Sequence, residues 1–384
     1  MNATHGGSVC RQLAGVMMIL WLVTGCGPTA ATPVLSPTPA LALWPTPTVS
    51  PTSTPFPTAT VPVGDGGLSG DEVATLMSLE QVDGFPLYTM RFVAAYSLRA
   101  QPDKSTSWLK IDSLRAAAPG QAGWSCSLFA TLGDEQNALY GRNFDWQYSP
   151  ALLLFTDPPD GYASISMVDI DYLGFGGDRA ANLTELPLQQ RRPLLGAPGL
   201  PFDGMNERGL SIGMAAVPPG EMSVDPRKRT VDQLKVIREI LDHASTVDDA
   251  INILGQYNID MGSVPVHYLI ASAAGKSALV EFYRGQMVVF RNESAWQIAT
   301  NFLVASTDGR AEGQCWRYDH INERLTEAGG QLATQDALSL LAEVSQNNTQ
   351  WSIVYGMTSG DVSIVMGRDC TGQVHTFHLN QSGR

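Results

Sequence analysis

The sequence predicts an α+β domain built on antiparallel sheets, and three features of its 384 residues carry that prediction. Short apolar runs of strand length dominate from Trp124 onward. Several are joined by turns of hairpin length. The helical stretches come in groups instead of alternating with strands, as a βαβ succession would require. No internal repeat is present.

The elements follow in order. Asp71–Val82 has helical spacing, with Val73, Leu76, Leu79 and Val82 on one side. GFPLYTMRFVAAYSL follows, then polar, turn-rich sequence up to Trp124. Ser127–Leu132 and Ala138–Trp146 flank the five-residue connection GDEQN and read as a hairpin. Gly209–Val217, Trp296–Asn301, Ser352–Ser359 and Asp361–Met366 also read as strands. His267–Ala273, Ser277–Tyr283 and Gln286–Phe290 form a meander with turns at Ala274-Gly275-Lys276 and Arg284-Gly285. Helices are expected over Thr230–Ala244, Thr246–Tyr257 and Thr334–Gln346, the last with Thr334 as N-cap.

The N-terminal part has a different character. Leu13–Val23 is an uncharged run of eleven, the length of a signal-peptide core and too short to span a bilayer comfortably. It ends in Val23-Thr24-Gly25-Cys26, which resembles a bacterial lipobox with Cys26 as the lipidated residue. Residues 1–25 are therefore expected to be a lipoprotein signal peptide. Pro28–Val63 holds ten of the chain's 24 prolines and no charge, so residues 26–63 read as a disordered, extended spacer. At ~3.1 Å per residue this spacer reaches about 110 Å from a membrane. The expected location is extracytoplasmic, on a bacterial membrane through the lipid anchor. A net charge of −13 excludes nonspecific nucleic-acid binding, which needs a basic excess.

Of the five cysteines, Cys10 leaves with the signal and Cys26 is the anchor. Cys126, Cys315 and Cys370 remain, so at least one is unpaired; Cys315 and Cys370 are read as reduced or as a disulfide pair. A regular hairpin pairs Leu132 with Ala138 and sets Cys126 opposite Phe144, with Arg142 diagonal on the same face. A guanidinium there favours thiolate. Asp145 faces away by parity but reaches the backbone nitrogen of Cys126. A cysteine nucleophile also needs a base, and neither His267 nor His320 sits in a recognisable motif. The α-amine of an N-terminal cysteine, with a pKa of about 8, would serve. That requires cleavage between Ser125 and Cys126.

The stretch from Trp124 to the end resembles the choloylglycine hydrolase superfamily of linear amide C–N hydrolases, which are N-terminal nucleophile (Ntn) hydrolases. C-x(15)-R-N-x-D, with Cys126, Arg142, Asn143 and Asp145, has the family's spacing. GMNERGL supplies Asn206, IATN supplies Asn301 and CWRYDHINERL supplies Arg317, in the family's order. The resemblance implies an αββα sandwich of two antiparallel sheets flanked by helices. It also implies residues 64–125 as a propeptide or small subunit and 126–384 as the catalytic domain, able to remain associated as a heterodimer. In the implied mechanism Cys126 attacks the amide carbonyl and its freed amine moves the proton. Asp145 orients that amine, and Arg142 stabilises the thiolate. The N–H of Asn206 and the side chain of Asn301 form the oxyanion hole, and Arg317 completes the site. No metal or cofactor is implied.

Competing readings are an acyltransferase, in which an amine replaces water, and a non-enzymatic surface lipoprotein. A serine esterase is suggested by GLSIG around Ser211 with His375 downstream. That motif, however, needs a strand-to-helix turn at the serine, and the apolar run here continues to Val217. The expected substrate is a small-molecule N-acyl amide.

Overall fold

A computed structural model describes residues 48–49, 67–96, 126–262, 264–367 and 372–381. The predicted signal peptide, Cys26, most of the spacer, Ser125 and Cys370 lie outside the described residues. Among the described residues, no helix is long and apolar enough to cross a membrane.

Along the chain come β1 (Thr48–Val49), α1 (Gly70–Met77), β2 (Glu80–Asp83), β3 (Leu87–Phe92), and the hairpin β4 (Ser127–Thr131) and β5 (Leu139–Asp145). Then follow β6 (Ala151–Thr156), β7 (Ser164–Asp169), α2 (Leu188–Arg191), β8 (Pro201–Asn206), β9 (Leu210–Ala216) and β10 (Arg229–Asp232). The pair α3 (Lys235–His243) and α4 (Val247–Gln256) leads to β11 (Tyr257–Asp260). The predicted meander is β12 (Val266–Ser272), β13 (Lys276–Tyr283) and β14 (Gln286–Arg291). The chain ends with β15 (Trp296–Ala299), α5 (Trp316–Glu327), α6 (Thr334–Glu343), β16 (Thr349–Gly356), β17 (Asp361–Met366) and β18 (His375–His378).

Two large sheets result, with strand orders β1-β18-β17-β16-β5-β4-β15 and β14-β13-β12-β9-β8-β7-β6-β3-β2, besides the two-stranded pair β10-β11. They pack face to face. The Tyr140 hydroxyl crosses between them to donate to the Leu269 carbonyl at 2.9 Å. Helices α3 and α4 cover the outer face of the larger sheet, and α5 and α6 that of the smaller. The expected helix–sheet–sheet–helix order is therefore present. Close approach of the sheets explains the second glycine of GLSIG, while the first, Gly209, turns the chain at φ 71°. A Cβ on Gly213 would lie 2.8 Å from the Tyr140 hydroxyl and 2.9 Å from a Leu128 methyl, so packing demands glycine there.

Pairing is antiparallel apart from β3 on β6, β10 on β11 and β1 on β18. Strand β3 brings the upstream segment into the larger sheet, where Leu87 and Tyr88 are fully buried. Thr48 and Val49, inside the predicted spacer, pair with β18 and form the edge of the smaller sheet.

Three local expectations are corrected. Helix α1 stops at Met77, and Glu80–Asp83 instead form a strand with β3. The Ser78 hydroxyl accepts from the Arg91 backbone N–H at 2.9 Å, so tertiary pairing overrides the helical period. The start of the helix expected at Thr230 is strand β10, paired with β11. Helix α6 is preceded by Ala333 and not capped by a side chain. By contrast, Thr246 caps α4 with a full capping box to Asp249.

Asp169, at the end of β7, is almost fully buried, and burial pushes its carboxyl up to about 7. Hydrogen bonds from Ser149 and the Asp171 N–H oppose the shift. The native state thus holds a proton that the unfolded chain releases above ~4. Its contribution to stability is full below that value and is lost as the pH rises through about 7. Asp169→Asn should therefore stabilise the fold by up to roughly 4 kcal/mol at pH 8 and by nothing at pH 4. Urea unfolding at the two pH values checks this, and an equal effect at both would refute it.

Candidate active site

The β4–β5 hairpin has the register expected from its sequence. Ser127 faces Asn143, Leu128 faces Arg142 and Thr131 faces Leu139, which extends to Cys126 beside Phe144. Arg142 lies diagonally across, with Nη2 3.9 Å from Cys126 Sγ. Both side chains point into the space between the sheets, where Cys126 is 5% exposed and Arg142 fully buried. A buried guanidinium needs partners, and Arg142 Nη1 donates to the Phe202 carbonyl at 2.7 Å and to Asp203. Its cation also lies 4.9 Å from the Phe144 ring centre. Burial works against the cation, but Asp203 and Cys126 outweigh it, and the Arg142 pKa is raised.

Burial pushes the Cys126 thiol up, the Asp145 carboxylate adds to the rise, and Arg142 and the Asp145 N–H work against it. Arg142 acts in the expected direction, but desolvation outweighs it in the uncut chain, where the Cys126 nitrogen is an amide.

A second guanidinium reaches the same cysteine from α5. Arg317 Nη1 donates to the Cys126 carbonyl at 2.6 Å and to Ser127 Oγ at 2.8 Å, and Nη2 donates to Asn301 Oδ1 at 2.9 Å. Asn301 Nδ2 in turn donates to the Ala216 carbonyl at 2.7 Å. Val217, the residue after Ala216, donates its N–H to Pro265 beside β12. Ala216 must then direct both of its peptide groups away from β12, toward Asn301. One end of the sandwich thereby gathers Cys126, Arg142, Arg317, Asn301 and the backbone of Ala216.

Asp145 closes β5 at this end. It is fully buried, and its Oδ1 accepts from the Thr349 hydroxyl at 2.5 Å. Asn206 is not brought to the cluster. The β8 residues beside Arg142 are Phe202 and Asp203, so Asn206 lies ~10 Å farther along the strand. Its side chain donates to the Leu241 and Ala244 carbonyls and accepts from the Arg208 and Leu210 N–H groups. Its carbonyl accepts from Gly209. Asn206 builds the β8–β9 turn.

Asp203 and Ala216 escaped the sequence reading. Asp203 also accepts from the Tyr355 hydroxyl, so a fully buried chain runs Cys126–Arg142–Asp203–Tyr355. The available signal was an acid set among apolar residues in LPFDGM, a position that requires a buried partner. Ala216 carried no signal, because it presents backbone only.

The alternative nucleophile fails on geometry. Ser211 is buried in mid-strand in β9, its hydroxyl without a partner, while His375 pairs with Asp83 at 2.6 Å. His267 is engaged by Glu281, with Nδ1 and Oε1 3.2 Å apart. Cys315 is a free thiol. Among the described residues, no group of three or more His, Cys, Asp or Glu is arranged to hold a metal ion.

Similar solved structures include a mutant of the conjugated bile acid hydrolase from Clostridium perfringens, 16% identical with a TM-score of 0.48, covering 67% of this chain and 93% of that one. Penicillin V acylase from Agrobacterium tumefaciens is 15% identical with a TM-score of 0.47, covering 67% and 87%. None of the curated proteins matches this chain. Residues 194–302, which include Asp203, Ala216 and Asn301, match the model for linear amide C–N hydrolases of the choloylglycine hydrolase family, the same superfamily that the motifs from Cys126 to Arg317 resemble.

Proposed function

We propose that this chain is an exported, lipid-anchored amidase that cleaves itself before Cys126 and then hydrolyses the C–N bond of a small N-acyl amide through a cysteine thioester. The convergence of two buried guanidiniums and Asn301 on one otherwise inert-looking cysteine carries this reading. Export and lipidation rest on the run Leu13–Val23 ending at Cys26.

The first turnover is on the chain itself. Cys126 Sγ attacks the Ser125 carbonyl, the peptide C–N bond breaks as the thioester forms, and the nitrogen leaves as the amine of Cys126. Water hydrolyses the thioester and frees the Ser125 carboxylate. The amine then takes the thiol proton as Sγ attacks substrate, and returns it to the leaving amine. Asp145 orients the amine. Asn301 Nδ2 has a second hydrogen beyond its bond to Ala216, and the Ala216 N–H points to the same place. These two donors form the oxyanion hole in our reading, a role Asn206 is too distant to fill. Arg142 favours thiolate, and Arg317 holds the nucleophile's own backbone.

Cleavage need not release the upstream piece. Strand β3 makes six residue pairs with β6, and the Tyr96 hydroxyl donates to Asp242 at 3.1 Å. In our reading the segment from Cys26 stays bound as a small subunit and tethers the catalytic part.

Intact-mass measurement and N-terminal sequencing test the reading. The expected result is a new terminus at Cys126, with both fragments co-purifying under native conditions and separating in denaturant. A whole chain that is fully active would refute it.

A further inference from the structure

One buried ionisable pair takes no part in the chemistry above. His267 and Glu281 face each other across β12 and β13, 1% and 0% exposed. His267 Nδ1 and Glu281 Oε1 share a hydrogen bond 3.2 Å long. The same carboxylate takes two backbone donors, the Val304 N–H at 2.9 Å on Oε1 and the Ala305 N–H at 2.8 Å on Oε2. Those amides lie three and four residues after Asn301 and begin the short 3-10 turn Val304–Thr307. At its other end the loop is tied by Asn301 to the Ala216 carbonyl. Ala216 neighbours Ala215, the residue opposite His267 on β9.

We infer that Glu281, oriented by His267, is a positioning residue that fixes the Asn301 loop. Rigid strands hold the carboxylate; the carboxylate holds the loop's backbone; the loop presents the Asn301 amide toward Cys126. Two hydrogen bonds from adjacent amides to the two oxygens of one carboxyl group restrain both position and orientation. An apolar contact would not do the same, since the loop's buried side chains Leu303 and Val304 fix depth but not rotation. The pair is not a second catalytic dyad, because no hydrogen bond joins His267 to Cys126 among the described residues. The role in turnover rests on the amidase reading above.

Glu281→Gln is the direct test. Glutamine keeps the shape but turns one acceptor into a donor that faces a backbone N–H. Ala305→Pro is the companion, removing one loop donor in the first turn of the 3-10 segment, where the Ala305 N–H bonds Glu281 and no carbonyl of the turn. Hydrogen exchange at Val304 and Ala305 should rise at least tenfold in Glu281→Gln, with the β12–β13 ladder still protected. On an N-acyl amide, kcat should fall ~10²-fold with KM within twofold, as expected when an oxyanion donor is displaced. Ala305→Pro should show the same pattern at about tenfold. Alkylation of Cys126 by iodoacetamide should stay at the wild-type rate in both.

Unchanged exchange at Val304 and Ala305 in Glu281→Gln would overturn the inference whatever the activity. So would wild-type kcat in a variant with lost protection, or a parallel fall in kcat, KM and alkylation. If Glu281→Gln does not fold, wild-type kcat in Ala305→Pro overturns the role in turnover. Absence of wild-type turnover on every N-acyl amide would instead refute the proposed function, and the exchange data would then decide the inference alone.

Discussion

Alanine at Cys126 is expected to leave the chain uncut and to lower amide turnover by about 10⁴-fold or more, because in the proposed mechanism one sulfur serves both reactions. Ser211→Ala is the matching control and should alter kcat/KM by less than twofold. Its hydroxyl is buried in mid-strand without a partner, and Gly213 of the GLSIG motif is there for sheet packing. Mass spectrometry and steady-state kinetics on both variants read the outcome. Amidase activity that survives in the first and disappears in the second would overturn the cysteine mechanism.

Arg142→Leu carries the second large effect, this time on stability. Arg142 and Asp203 are both fully buried, and removing one charge leaves the other desolvated and unpaired. Such a break costs about 3–5 kcal/mol, far more than the intact pair is worth. The measurement belongs in the Cys126→Ala background, so that chain cleavage does not enter the unfolding curve. Adding Asp203→Asn should recover most of the loss, since asparagine still accepts from Tyr355 without carrying a charge. A double variant no more stable than Arg142→Leu alone would show that Asp203 is not held as a charge by Arg142.

Much of the site could be read from spacing alone. The hairpin loop length set the register, and the register set Arg142 beside Cys126; the observed pairs agree residue for residue. That inference was local, because strand geometry converts a count of residues into a distance. Asn301 and Arg317 came from motif order, and they meet only because α5 packs against the smaller sheet. Asn206 was misplaced for an instructive reason. Its flanking motif, GMNERGL, is turn chemistry: the side-chain oxygen closes that turn, and the amide nitrogen ties it to the end of α3. The group that Asn301 ties to the cluster from the facing sheet is the backbone of Ala216 on β9, and backbone direction is invisible in residue identity.

The same division runs through the fold. Apolar periodicity and turn residues were enough for the meander β12–β14 and for the β4–β5 hairpin, because each depends on neighbours within a few residues; the four-layer class came from the family resemblance. They failed for Glu80–Asp83 and Arg229–Asp232, where a strand partner distant in sequence outweighs helical spacing. They were silent on β3 lying parallel to β6, which builds the upstream segment into the catalytic sheet. By itself the sequence determined that Arg142 lies beside Cys126 and that the chain resembles the linear amide C–N hydrolases, because hairpin register and motif order are read along the chain. Only the tertiary structure decided which groups stand around them, since Asp203, Ala216 and Glu281 act through buried contacts between strands that chain order does not bring together.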